Sequence, residues 1–310
     1  MNSTNDYTAH DYKSQVQNLL IKTQRFKNEN KRVIKFLDEI SSRDDDRRAS
    51  VVASHLNECA SYVGFTNIDG VASIVKANFC RERVCMVCAW RRQARFLAQL
   101  HPLLASATNL GYQYIFVTLT LKNCCFDELR SSLDVILSAY DKLLKRRKVS
   151  RAWRGIVRSL ELTYNATENS FHPHLHLLVA VEKDYFTNSD LYISQYELRK
   201  MWADLAGVSY EPWCYIERIE DENKGAVETL KYSLKPSQAF EALEAFYKLL
   251  RRRRLVSFSG VFAQLRNALK MNDFENVLVD GDGTRGVSYD VYKFDASGGV
   301  YRFYDSYTWR

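Results

Sequence analysis

The chain is poor in histidine and lacks any long apolar run. Its 310 residues include six histidines, and no apolar segment is long enough to span a bilayer. The first residues, Met1 to Tyr7, contain no apolar core of a secretory signal. We therefore expect a cytoplasmic protein without a membrane span. The seven cysteines are an odd number, which favours a reducing compartment over a framework of disulfides.

The composition is that of a globular, basic protein. Apolar residues make up 46% of the chain, and its length allows one or two domains with a substantial core. The formal net charge is +7, and clustered positive charge favours a partner with a phosphate backbone, such as nucleic acid. The candidate DNA-binding residues lie in basic clusters: Arg91, Arg92, Arg95, Lys145, Arg146, Arg147, Arg251 and Arg252.

Three of the six histidines occur in one alternating segment, Phe171 to Val181 (FHPHLHLLVAV). Such alternation predicts a half-buried strand, in which side chains two residues apart share a face. His172, His174 and His176 therefore point the same way. A row of imidazoles backed by an apolar face suits a metal site on a sheet. The alternative interpretation is a polar face that happens to be rich in histidine.

A turn-forming segment, Asn165 to Ser170, joins the histidine strand to a second predicted strand at 155–164. The two strands should form a hairpin whose register places Glu161 about opposite His174 or His176. We predict that Glu161 is the carboxylate of a site with two histidines and one carboxylate. An exposed strand glutamate is the alternative.

The surrounding pattern predicts an α+β fold. Helices are expected from Asp127, as a capping residue, and from the capping box Ser194–Glu197. Strands are expected at 112–121, 155–164, 171–181 and 214–219. This is the β-α-β-β-α-β order of split ferredoxin-like folds with an antiparallel sheet. One further helix, at about 223–234, is appended.

Four cysteines follow the spacing Cys-x20-Cys-x4-Cys-x2-Cys. Four thiolates can close a tetrahedral structural zinc site, and we predict such a Zn²⁺ site. Its ligands would be Cys59, Cys80, Cys85 and Cys88. Buried free cysteines are the alternative, and His55, one turn before Cys59 on a possible helix, remains a substitute ligand.

The appended helix carries a candidate nucleophile, Tyr232. At 100° per residue Glu228, Tyr232 and Lys235 cluster on a face away from the apolar stripe. The charges of Lys231 and Lys235 would stabilise a phenolate and bind phosphate. Most tyrosines on helices only pack against neighbours, so the catalytic interpretation depends on the nearby histidine strand.

Four segments, in this order, resemble the plasmid rolling-circle replication initiators of the Rep type-1 family, within the His-hydrophobic-His (HUH) endonucleases. They are the cysteine segment 79–92, the strand 116–120, the segment 160–176 that contains LELTYN and HPHLH, and the segment 228–235 (ETLKYSLK). The resemblance covers roughly residues 55–270. Met86 is a departure, because the family usually has proline inside this Cys-x-x-Cys pair.

The resemblance implies an HUH-type core and a DNA-nicking enzyme. His174 and His176 would hold Mg²⁺ or Mn²⁺, Tyr232 would be the nucleophile, and Glu228 would serve in termination. Locally single-stranded origin DNA would be cut to leave a 5′-phosphotyrosine and a free 3′-OH. A host helicase and DNA polymerase would then be partners, whereas no oligomeric state is indicated.

We predict four segments along the chain. They are an N-terminal arm (1–50), a cysteine-rich zinc-binding module (51–105), an HUH endonuclease domain (106–237) and a basic C-terminal extension with helices and a hairpin (238–310). An HUH transposase or relaxase is one alternative, which the Glu-x-x-x-Tyr pair and the cysteines disfavour. A non-catalytic zinc-dependent DNA-binding regulator is another. A two-histidine phosphoesterase is disfavoured because two separate His-x-Thr/Ser elements are lacking.

Overall fold

The computed structural model describes residues 4–220, 240–251, 253–271, 273, 278–279 and 287–308. The chain forms two compact units, one of Met1–Arg92 with Asp273–Arg310 and the other of Gln93–Asn272. The C-terminal extension predicted at 238–310 is therefore divided between the two units. No helix in the described ranges combines the length and apolarity needed to cross a bilayer.

Helices and antiparallel sheets alternate along the chain, which confirms the predicted α+β class. The helices are α1 (Thr4–Asp44), α2 (Arg47–Glu58), α3 (Met86–Asn109), α4 (Phe126–Leu143), α5 (Arg147–Ala152), α6 (Gln195–Ala206), α7 (Phe240–Ala245), continued by a π turn (Phe246–Leu250), and α8 (Val261–Ala268). The strands are β1 (Tyr62–Ile68), β2 (Val71–Ala77), β3 (Gln113–Thr120), β4 (Trp153–Asn165), β5 (Ser170–Val181), β6 (Cys214–Ile219), β7 (Val256–Gly260), β8 (Ser288–Asp295) and β9 (Val300–Thr308).

The first unit packs the helices α1 and α2 together and contains a sheet of order β2-β1-β8-β9. Phe36, Leu37 and Ile40 of α1 are buried, as their helical spacing predicts. Only Asp45 and Asp46 separate α1 from α2. Asp46 caps α2 by accepting hydrogen bonds from the backbone amides of Arg48 and Ala49. The β1–β2 hairpin was not predicted, although Asp69-Gly70 is a recognised turn sequence.

The second unit is built on a sheet of order β6-β3-β5-β4-β7. Its first four strands in the chain, with α4 and α6, follow the predicted β-α-β-β-α-β order, and neighbouring strands are antiparallel. The helix α4 begins at Phe126 with Cys125 as its N-cap residue. The predicted capping residue, Asp127, instead lies in the first turn, where its charge favours the helix dipole.

The two faces of this sheet are covered by different helices. The Arg158 guanidinium lies 5.6 Å from the Tyr140 ring centre, so α4 packs on the face that carries Arg158. On the opposite face, the Tyr114 ring stacks with Phe262 of α8. A Cβ at Gly155 would lie 2.4 Å from a side-chain methyl of Val261, so glycine lets α8 approach closely. Glu161, His174 and His176 lie on this second face, at a distance along the strands from Tyr114 and Gly155.

Candidate metal centres

The β4–β5 hairpin brings three potential metal ligands together. Its register pairs Glu161 directly with His174, so the two side chains share a face. Glu161 Oε2 lies 2.8 Å from His174 Nε2 and 2.7 Å from His176 Nε2. The ligand atoms of the three residues all lie within 4.8 Å of one another. The carboxylate therefore reaches both imidazoles, in the register that the hairpin turn predicted.

The other nitrogen of each imidazole has its own partner. His176 Nδ1 lies 3.2 Å from Thr118 Oγ1, and His174 Nδ1 lies 3.2 Å from the carbonyl oxygen of His172. A partner at Nδ1 orients the ring so that Nε2 faces Glu161, and a bound metal ion would take the place of the proton at Nε2. Phe116 also stacks on the His176 ring, with centroids 5.4 Å apart. The role of Thr118 is not predicted from the sequence, because it depends on the pairing of β3 with β5.

Glu161 is buried, so its ionised form requires partners that stabilise the negative charge. Its side chain is 3% exposed, and a buried carboxylate without partners is costly. Burial by itself raises the pKa of Glu161, but hydrogen bonds from His174 and His176 outweigh it and lower the pKa to about 2. The cluster thus offers an ionised oxygen and two nitrogens, a mixed donor set compatible with a divalent metal ion.

His172 does not belong to this group of ligands. Its Nδ1 lies 2.7 Å from Asn123 Oδ1, and it is absent from the three-residue cluster of the described chain. Burial lowers the pKa of His172, and the nearby His174 acts in the same direction. Period-two spacing placed the three histidines on one face, but only His174 and His176 lie next to the carboxylate.

A second cluster is formed by the four cysteines predicted as zinc ligands, Cys59, Cys80, Cys85 and Cys88. The Sγ–Sγ distances are 3.6 Å from Cys59 to Cys88, 3.7 Å from Cys80 to Cys88 and 3.5 Å from Cys85 to Cys59. Tetrahedral Zn–S bonds of about 2.3 Å imply sulfur separations of about 3.8 Å. The four sulfurs therefore have close to the spacing that a structural metal site requires.

Polar groups around the cysteines suit a negatively charged site. Backbone amides of Cys80 and Arg81 donate to Cys59 Sγ and Cys88 Sγ, and the Asn30 amide donates to Cys85 Sγ. Burial raises the pKa of Cys85, but hydrogen bonds from the other three thiols lower it well below the ordinary value. Burial and the same network of hydrogen bonds raise the pKa of Cys88, so the four sulfurs share one negative charge. Thiolate is the form that binds metal, and a metal cation would allow the remaining thiols to ionise.

Lys27 adds a positive charge beside the same cluster. Its Nζ donates to the carbonyl oxygens of Asn57 and Cys59, each at 2.8 Å. Burial lowers the pKa of Lys27, whereas the nearby Cys59 and Cys85 raise it. Neither Lys27 nor Asn30 is predicted from the sequence. Their spacing of three places them on one face of α1, but nothing in the sequence pairs that face with the cysteines.

The comparisons with known proteins agree with the motifs. The family model Rep_1, described as "Replication protein", matches residues 71–295. A "Protein rep" of Streptococcus pneumoniae is 32% identical over 219 residues, which are 67% of this chain and 68% of that protein. A "Protein rep" of Staphylococcus aureus is 38% identical over 166 residues, 53% of this chain and 72% of that protein. No solved structure matches the chain.

The chain belongs to the Rep_1 family of replication proteins. This confirms the resemblance that the ordered motifs indicated. The match includes β2, the cysteine segment from Cys80 onwards and the whole second unit, and it ends at Asp295.

Several residues predicted to act in this Rep_1 protein lie outside the described residues. They are Glu228, Lys231, Tyr232 and Lys235, with the helix predicted at 223–234, and also Arg252. Their roles stay predictions. His55, considered as a substitute zinc ligand, has its Nδ1 3.1 Å from Glu82 Oε1 instead.

Two predicted DNA-binding arginines of the Rep_1 protein are buried. Arg91 is 4% exposed and Arg92 is 3% exposed. Arg91 donates to the carbonyl oxygen of Leu278, and Arg92 donates to those of Arg81, Glu82 and Arg83. Arg81, Glu82 and Arg83 lie in the loop between Cys80 and Cys85. By binding their carbonyl oxygens, Arg92 holds this loop, and with it the two cysteines, in place. Both guanidinium groups therefore have structural roles, in contrast to the DNA contacts predicted for them.

The remaining basic candidates differ in exposure. Lys145, Arg146 and Arg147 are exposed near the start of α5, whereas Arg95 and Arg251 are half-buried. Arg146 forms an ion pair with Asp204, so part of its charge is neutralised. Lys145 and Arg147 are the members of this run that best fit the predicted contact with phosphate.

Proposed function

We propose that this replication protein initiates rolling-circle replication by nicking one strand of a plasmid double-strand origin. The observation that carries the proposal is the convergence of Glu161, His174 and His176 on one face of the sheet. Membership of the Rep_1 family supplies the biological context. A buried charged cluster of this kind is expensive to maintain for stability alone, which favours a catalytic use.

The donor set favours Mn²⁺ or Mg²⁺ at this cluster. One carboxylate oxygen and two imidazole nitrogens form a mixed site, and Mn²⁺ accepts both kinds of ligand. Such an ion, when bound, polarises a phosphoryl oxygen and neutralises developing charge. Thr118 and Phe116 hold the His176 ring in place, so the chain itself fixes the geometry of the ligands.

Tyr232 is the proposed nucleophile. Its hydroxyl oxygen attacks the scissile phosphorus, the bond to the 3′ oxygen breaks, and the tyrosine proton is transferred overall to that leaving oxygen. The products are a 5′-phosphotyrosine on the protein and a free 3′-OH, which a host DNA polymerase extends behind a host helicase. Lys231 and Lys235 would offset negative charge around the phosphate.

Glu228 is the proposed base for termination. One helical turn separates it from Tyr232 in the predicted helix, so its carboxylate can take a proton from water near the same phosphate. A hydrolytic second cleavage then releases the replicated strand without a second tyrosine adduct. This division of roles requires only one catalytic tyrosine.

The four cysteines are proposed to hold a structural Zn²⁺ ion. Closed thiolate sites fold a module and leave no open position for substrate. Lys27 and the amide donors described above partly offset the charge of four thiolates.

The decisive experiment uses supercoiled plasmid that carries the gene's own upstream region. We expect a site-specific nick with Mn²⁺ or Mg²⁺ and none with chelator, and mapping should find the new 5′ end blocked by protein. His101→Ala, on the exposed surface of α3, is the matched control and should nick normally. A protein that binds this DNA but never nicks it would instead be a zinc-dependent regulator.

A further inference from the structure

An exposed aromatic pair lies at the edge of the catalytic sheet. Trp213 and Tyr215 are stacked with their rings 5.9 Å apart and almost parallel, at 2°. Trp213 is 55% exposed and Tyr215 is 37% exposed. Two large rings held parallel in solvent present flat apolar surface, which costs hydration free energy unless a ligand covers it.

The pair shares a face of the sheet with the candidate metal cluster. Tyr215 pairs with Thr118 on β3, and Thr118 pairs with His176 on β5. Directly paired residues point to the same side, so Tyr215 and His176 face one way. Two strand spacings separate them, about 10 Å. A base next to a phosphate held at the cluster can reach the rings.

Trp213 is fixed relative to the same row of residues. Its carbonyl oxygen accepts a hydrogen bond of 2.8 Å from Thr120 Oγ1, and Thr120 pairs with His174. The backbone that carries the indole ring is therefore tied to the strand that adjoins the metal ligands. Such anchoring reduces the entropy lost when a ligand stacks on the ring.

A lysine near the segment that carries the pair favours an anionic ligand that also carries bases. Lys122 is exposed just beyond the end of β3, and its ammonium lies 4.3 Å from the Tyr210 ring centre. Thr120, two residues before Lys122, donates to the carbonyl oxygen of Trp213, so a lysine and the stacked rings occur at the same end of the sheet edge. Positive charge together with stacked aromatic rings is the combination that binds single-stranded nucleic acid. Glu217 is exposed two residues after Tyr215 on β6, and its carboxylate would repel phosphate. A nucleic-acid ligand would therefore bind near Trp213 and not near Glu217.

We propose that Trp213 and Tyr215 form a stacking platform for an unpaired base of single-stranded DNA beside the scissile phosphate. The platform deepens the nicking function proposed above and depends on it for its role in positioning. Stacking is tolerant of base identity, so the platform would hold the strand in place, and sequence would be read elsewhere.

The test is binding of a short fluorescein-labelled oligothymidylate to the full zinc-loaded chain, followed by fluorescence anisotropy. This probe lacks the origin sequence and reports stacking without cleavage. Trp213→Ala should weaken binding about tenfold, within the range expected for one base on one aromatic ring. Trp213→Phe should restore most of the affinity. Tyr196→Ala, which removes another exposed tyrosine on α6, is the matched control and should bind like the wild type.

The salt dependence separates stacking from charge. Trp213→Ala should leave the slope of log affinity against log salt unchanged, whereas Lys122→Gln should reduce it by about 0.7 for one lost phosphate contact. Unchanged affinity in Trp213→Ala, at wild-type thermal stability, would overturn the platform. A change in sedimentation alone, without a change in binding, would assign the pair to contact between protein copies and overturn it equally.

The binding series also distinguishes this proposal from the nicking function. If the wild type never nicks origin plasmid but Trp213→Ala still loses oligonucleotide binding, the nicking proposal fails and the platform stands. If the wild type nicks and Trp213→Ala binds and nicks equally well, the platform fails alone.

Discussion

The side chain of Asn30 links the long first helix to Cys85. Its Nδ2 donates to Cys85 Sγ at 3.3 Å, and its Oδ1 accepts from the backbone amide of Met86 at 2.8 Å. The same residue therefore fixes both the sulfur and the start of α3. Groups that orient metal ligands in this way typically contribute tenfold to a hundredfold to metal affinity.

We expect Asn30→Ala to weaken zinc binding by about tenfold to a hundredfold, measured by competition with a colorimetric chelator, and to lower thermal stability in parallel. Cys85→Ser should lose more, because it removes a ligand. Asn28→Ala, on the exposed side of the same helix, is the control. Wild-type zinc affinity in Asn30→Ala would show that the contact has no role in holding metal.

Nicking should depend on the metal cluster, whereas DNA binding should not. His174→Ala, His176→Ala and Glu161→Gln are each expected to reduce metal-dependent nicking by at least about a hundredfold, because each removes a ligand. Thr118→Val should cause a smaller loss, since it only orients His176. Plasmid nicking and gel-shift assays measure the two properties separately. Full nicking by the His174 and His176 variants at saturating Mn²⁺ would refute the assignment.

The covalent link should form at Tyr232. Tyr232→Phe is expected to bind origin DNA and to yield no protein–DNA adduct, since it lacks the attacking oxygen. Mass spectrometry of the wild-type adduct identifies the modified residue. Tyr164 is a useful control, because its pairing with Phe171 places it on the opposite face from Glu161. An adduct on Tyr164 or Tyr247 would overturn the choice of nucleophile.

A substitution at Glu228 should impair termination and leave initiation intact. Glu228→Gln is expected to nick and attach normally but to continue past one round, so multimeric single strands accumulate. Glu182→Gln, a surface glutamate paired with Arg154, is the control and should release unit-length circles. If Glu228→Gln instead releases unit-length circles, Glu228 is not the base for termination. A surface ion pair, which contributes little to stability, would then be the alternative role for this residue.

The sequence predicted the metal cluster because local rules determine it. Period-two spacing places His174 and His176 on one face, and a short turn sets the register that brings Glu161 opposite. Strands β3 to β6 were predicted for the same reason, since alternation and capping signals are local. His172 satisfied the same spacing, and its separation from the cluster follows from the Asn123 contact, which no local rule reveals.

Long-range contacts account for what was missed. Arg91 and Arg92 belong to a basic segment, which predicted contact with DNA. Only the fold shows that their guanidinium groups donate to backbone carbonyl oxygens instead. Likewise, β7 is a short segment whose strand character comes from pairing with β4. Lys27 lies 32 residues from Cys59, and Asn30 lies 55 residues from Cys85, so spacing along the sequence could not connect them.

The pairing of β1 with β8 has a consequence for synthesis of the protein on the ribosome. Val63 pairs with Tyr292, and the whole second unit is translated between these two strands. The second unit can therefore fold as it emerges, while the edge of β1 that pairs with β8 stays unpaired until the C-terminal strands are synthesised. A chain that stops before Ser288 would retain every predicted catalytic residue and would lose the strand that completes the sheet of the cysteine module.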